Sequence, residues 1–122
     1  MALSKGRGNQ ILATEQIKVT AALGANLFIK YDGSAVAGAT DNDIGVSLFA
    51  TTASGQLLET VIAGVAVVTA GAATNVGDII SSDSSGRAIT HTGTNLIRGK
   101  GLDAANAAGD PIRVLLGGGG TT

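Results

Sequence analysis

The stretch GDIISSDSSGRAI, Gly77 to Ile89, repeats the grammar of an earlier one, GANLFIKYDGSAV, Gly24 to Val36. Each is a glycine-led apolar run, a turn built on Asp and closed by Gly, and a second short apolar run. Asp serves such turns by accepting hydrogen bonds from the backbone two residues on, and Gly by taking left-handed backbone angles at no steric cost. Read this way the stretch is a hairpin, not an acidic site, and the chain that repeats it is a β protein.

The echo extends well past the hairpin. Gly33 and Gly86 are 53 residues apart, as are Val36 and Ile89, while Gly45/Gly99, Leu48/Leu102, Ala50/Ala104, Gly55/Gly109 and Gly64/Gly118 are each 54 apart. Two copies of one β-unit, about residues 22–64 and 75–118, each too small to bury its apolar face alone, are expected to pack about a pseudo-twofold axis. Short β-compatible runs fill the chain: IKVTA, NLFIK, IGVSLFA, LLETVIAG, VAVVTA, GDIIS, RAIT, NLIRGKGL and PIRVLLG. Turn clusters such as TDND, ASGQ and AAGDP separate most of them. The expected fold is therefore all-β, a small barrel or sandwich. Within it Val61 to Ala73 reads as two buried strands, and LDAANAAG, Leu102 to Gly109, has room for one helical turn at most. Residues 1–10 are expected to form a flexible N-terminal arm, 11–118 a single domain, and 119–122 a mobile tail.

Composition limits the core. The 122 residues include 19 glycines and three aromatics, Phe28, Tyr31 and Phe49, so small side chains must do most of the packing. A positive mean hydropathy without a run of about 20 apolar residues points away from a membrane span and toward apolar surface buried on association. Eight basic residues scattered against nine acidic ones give a net charge of -1 and no stripe for nucleic acid. The absence of cysteine excludes disulfides, thiolate nucleophiles and Cys-ligated zinc. No secretory signal is visible, since Lys5 and Arg7 precede GNQ rather than an apolar run.

The residues that could carry chemistry are sparse. His91 is the one histidine, and a Ser/His/Asp set can be drawn from Ser81 or Ser82, His91 and Asp83, but no nucleophile elbow surrounds either serine. Asp41, Asp43, Asp78 and Asp83 are spaced as turn residues rather than as a calcium loop. GKGLDA, Gly99 to Ala104, matches G-x-G-x-x-A in letters only, because a proline-led strand follows where a dinucleotide site needs a helix. No cofactor and no catalytic residue are expected.

Taken in order, IGVSLFATTASGQLLETVIAGVAVV (Ile44 to Val68), GDIISSDSSGRAI, and IRGKGLDAANAAGDPIRVLLGG (Ile97 to Gly118) resemble the capsid cement, or decoration, proteins of tailed bacteriophages. The G-D-x-I and D-x-x-G-R elements fall at Gly77, Asp78 and Ile80 and at Asp83, Gly86 and Arg87. Arg98-Gly99-Lys100-Gly101 departs from the pattern in being more polar than the usual Gly-Val-Ala.

The resemblance implies a non-enzymatic protein, made in the bacterial host cytoplasm, that sits on the outside of the virion shell and ties neighbouring major capsid protein subunits together. It implies a homotrimer, with a dimer as the second arrangement. The capsid contact is expected along the arm, at Ala2, Leu3, Ser4, Lys5, Gly6, Arg7, Asn9 and Gln10. The competing reading is a β-type adhesion or carbohydrate-binding module, which usually offers aromatic platforms. A lipoyl-type carrier needs a lysine at the hairpin tip, and SDSSGR has none.

Overall fold

A computed structural model describes residues 9–117. Those residues form eight strands and no helix: β1 (Gln10–Lys18), β2 (Phe28–Lys30), β3 (Asp43–Ser47), β4 (Leu57–Thr69), β5 (Ile79–Ser82), β6 (Ala88–Thr90), β7 (Gly99–Gly101) and β8 (Pro111–Leu116). They join one nearly closed barrel sheet in the order β2-β3-β4-β8-β7-β5-β6, with β1 added to β4. The all-β expectation holds.

The repeat is visible in the strand register. β1 pairs with the first half of β4 as Thr14↔Val61, Glu15↔Thr60, Gln16↔Glu59, Ile17↔Leu58 and Lys18↔Leu57. The second half of β4 pairs with β8 as Val65↔Leu115, Ala66↔Val114, Val67↔Arg113, Val68↔Ile112 and Thr69↔Pro111. Moving the first partner 51 positions and the second 54 turns one set into the other. Backbone bonds outside the strands repeat as well: Asn26 to Ser47 and Gly77 to Gly101, related by the same 51 and 54 positions, are both 2.8 Å, and Leu48 to Glu59 matches Leu102 to Arg113, both partners 54 positions on, at 3.0 and 2.8 Å. The turn glycines match in angle as well, Gly33 and Gly86 at φ 74° and 75°.

Three expectations change. The sequence places the first strand at Ile17 to Ala21, whereas β1 begins at Gln10 and ends at Lys18. Its residues are mostly exposed, so the alternation that marks a half-buried strand is weak there. The repeated pairing consequently starts in β1 and, for the second copy, in the middle of β4, ahead of the hairpins. Val61 to Ala73 does not hold two strands: β4 is continuous from Leu57 to Thr69 and bends at Gly64, φ 103°. The Ala-rich run is not helical either. The Asp110 carboxylate accepts from the amides of Asn106 (2.8 Å) and Ala107 (3.3 Å), turning the chain, and Ala105 bridges to Thr74.

The core is built as composition demands, since among the described residues Ala and Val supply eleven of the seventeen buried apolar ones. Val19, Leu23, Ile29 and Leu58 form a small cluster inside the first unit. Their counterparts Ala70, Ile80 and Ile112 lie in a larger cluster that also takes in Phe28, Val46 and Val61 from the first unit. The counterpart of Leu23 is Thr74, buried with its hydroxyl unpartnered.

Candidate interaction surface

The residues singled out for chemistry are consumed by local structure. Ser81 Oγ lies 2.8 Å from His91 Nδ1, but Asp83 does not complete the set: its carboxylate accepts from the amides of Ser85 and Arg87, each at 2.9 Å, and pairs with Arg87 Nε at 3.0 Å. Ser81 is fully buried, leaving its hydroxyl nothing to attack. Asp78 accepts from Asn75 N (2.9 Å) and Thr90 Oγ1 (2.8 Å), and those bonds hold its pKa below the ordinary value. Asp41 accepts from Gly38 N at 2.9 Å. Among the described residues no three acidic or histidine side chains gather as a metal site. Gly99 to Gly101 is strand β7, inside the sheet rather than at the start of a helix. No helix of the described residues is long and apolar enough to cross a membrane.

Asp43 departs from the turn-residue reading. Arg98 is 5% exposed and reaches across from the second unit, donating through Nη1 to Asp43 Oδ1 (2.8 Å), through Nη2 to the carbonyls of Gly38 (2.7 Å) and Asp41 (2.6 Å), and through Nε to Ser82 Oγ (3.2 Å). Its guanidinium carbon stands 5.9 Å from the centre of the Phe28 ring. Burial raises the pKa of Asp43, with the Arg98 charge acting in the opposite sense. The position matching Arg98 in the first unit is Ile44, so this tie is made once and fastens the two units together. Four donors satisfied at one buried guanidinium make this a structural group rather than a ligand contact.

The exposed surface includes large apolar side chains on regular strands. Ile62 on β4, Leu115 on β8 and Ile79 on β5 are each at least 40% exposed, although all three sit in regular strands. Ile44 and Ile97 lie beside them, lining shallow hollows with Ile62 and Leu116. A second feature arises on β1. The register slips between Ile11 and Ala13, opposite the bend at Gly64, and Leu12 is pushed out of the ladder to 83% exposure. β1 pairs with β4 alone, so its other edge is open among the described strands.

Of the eight arm residues expected to contact a partner, Ala2, Leu3, Ser4, Lys5, Gly6 and Arg7 lie outside the described residues. Asn9 and Gln10 are held against the sheet: Asn9 Oδ1 accepts from Val67 N at 2.8 Å, and Gln10 opens β1 and pairs with Val65. The apolar outer face was missed residue by residue, although the positive mean hydropathy signalled that some such face exists.

The molecule is thus a two-unit β-body whose candidate chemical residues are held in turns and in the Arg98 tie, and whose regular strands expose Ile62, Ile79 and Leu115. The chain belongs to the phage cement protein family, whose model matches residues 9–116. That membership gives it a structural, capsid-associated role in a virion. The fold is similar to that of the head fiber gp8.5 N base of bacteriophage phi29, with a TM-score of 0.70 at 12% identity over 90% of this chain and 98% of that one. No curated protein matches the chain.

Proposed function

We propose that the protein binds the outer surface of a tailed-phage capsid, without catalysis, and cements neighbouring major capsid protein subunits, stabilising the shell. The observation that carries this reading is the family match over the whole described body, on a molecule whose outward strands present isoleucine and leucine where a free monomer would present polar side chains. Binding to a shell stabilises the bound fold by mass action, which suits a core assembled largely from Ala and Val.

In this reading Ala2 to Arg7, leading into Asn9 and Gln10, make the capsid contact, with Lys5 and Arg7 meeting carboxylates on a capsid subunit. The protein works as a homotrimer, a dimer being the second arrangement, on the virion surface after synthesis in the host cytoplasm. Its partners are the major capsid protein and further copies of itself, with neither nucleic acid nor membrane.

Co-sedimentation with purified capsids tests the proposal directly. The full chain is expected to pellet with capsids. Deleting residues 2–8 is expected to cut that binding at least tenfold, a loss of about 1.4 kcal/mol, while the circular dichroism and melting temperature stay unchanged, because the deletion leaves Asn9 and Gln10 and their bonds to β4 in place. Full binding by the shortened chain would rule out the arm as the contact; failure of the full chain to pellet would overturn cementing itself.

A further inference from the structure

Ile44 and Ile62 line a shallow hollow together with Glu15, Ile17 and Tyr31. The same two isoleucines border a second hollow with Ile97 and Leu116. Ile97 and Leu116 in turn border a third, with Ile79, Lys100 and Leu115. The three hollows share lining residues and so form one continuous band over the sheet, mostly apolar toward its two ends and polar at its middle, where Asp43 and Arg98 line the hollow beside the isoleucines. Its ends differ in sign. Glu15 stands at one end and Lys100 at the other, both exposed, and neither has an ion-pair partner among the described residues.

A band whose two apolar ends carry opposite charges, neither paired among the described residues, is complementary to itself: what fits the Glu15 end is a cation at the edge of an apolar surface, and the Lys100 end of another copy is that. We infer that this band is where copies of the chain meet, the Glu15 end of one copy against the Lys100 end of the next. A contact between two different ends repeats from copy to copy and closes into a ring when the rotation allows. The inference rests on the self-association within the proposed function and gives that association its surface. The isoleucines and leucines along the band supply the burial and the charged ends set the register, since rim charges govern pairing more than affinity.

Sedimentation velocity on the full chain, with no capsid present, tests it. The wild type is expected to self-associate. Lys100→Glu and Glu15→Lys are each expected to weaken association about tenfold, and the double reversal Glu15→Lys/Lys100→Glu to restore it. Ile62→Asp is expected to leave a monomer with an unchanged circular dichroism spectrum; should that variant not fold, the charge reversals decide alone. A wild type that stays monomeric at every concentration overturns the inference, as does an oligomer indifferent to both single reversals. Capsid co-sedimentation of the same variants keeps the two readings apart. Variants that remain oligomeric but lose capsid binding place the band against the shell, which overturns this inference and leaves cementing intact.

Discussion

Arg98 shows what one side chain does to a two-unit body. Its four hydrogen bonds end on Gly38, Asp41 and Asp43 of the first unit and Ser82 of the second, with Phe28 beneath the guanidinium. Removing one partner of a buried pair is costly, about 3–5 kcal/mol, because the other charge is left desolvated. Asp43 keeps some exposure, 24% of its side chain, yet burial still raises its pKa above the unfolded value. A raised carboxylate pKa means that the folded state holds this proton to higher pH than the unfolded chain does. The stability this brings is complete at low pH and is lost as pH rises through the raised value. The difference in unfolding free energy between wild type and Asp43→Asn is thus expected to turn against the wild type as pH climbs through the acidic range. Urea titrations at a series of pH values check it, and a difference flat in pH would show that the Asp43 carboxylate is not desolvated. Arg98 stood out in the sequence as a polar departure in a Gly-rich run. Its partner did not, because Asp43 sits in an ordinary turn signal, TDND, more than fifty residues away.

At the scale of the element, β4 decides the architecture. A 13-residue strand is long for so small a body, and it serves both units: its first half closes the first against β1 and β3, its second half opens the second against β8. Gly64 is the joint. At φ 103° a side chain is strained, and a Cβ there would run into the Gln10 carbonyl of β1. Gly64→Ala is expected to lose about 1–3 kcal/mol, the range for a non-glycine residue held in a sparsely populated backbone region, and to free the start of β1. Gly55→Ala shares a positive φ, 93°, but its Cβ meets open space, so it should cost less. Denaturant unfolding of the pair checks the order, and equal losses would mean that the approach of β1 to Gly64 carries no weight. Gly64 was legible as one of the repeating glycines. That it bends one strand instead of separating two was not, because a Gly between apolar runs looks the same in either case.

For the whole molecule, the consequence of a shared strand, a shared core cluster and the Arg98 tie is that neither unit is free to unfold alone. Thermal unfolding of the free protein is expected to be a single transition, coincident by calorimetry and circular dichroism. Two resolved transitions would show units that fold independently despite the common β4. The same construction explains why the outer face stays apolar. With Ala and Val filling most of the interior, much of the large aliphatic material, among it Ile62, Ile79 and Leu115, is carried outside, where association covers it.

The sequence by itself determined the fold class, the hairpins, the turn roles of Asp32, Asp78 and Asp83, and the existence of a repeat, because turn chemistry and short-range alternation are local and leave their mark in adjacent residues. It also carried the family, through the order of small Gly- and Ala-based motifs. Only the tertiary structure decided where the repeat begins, that β4 is one strand bent at Gly64, that Asp43 and Arg98 meet, and which isoleucines and leucines lie outside. Each of these depends on residues far apart in the chain, and on which side of a strand faces the core, which an apolar run buried on one face does not announce.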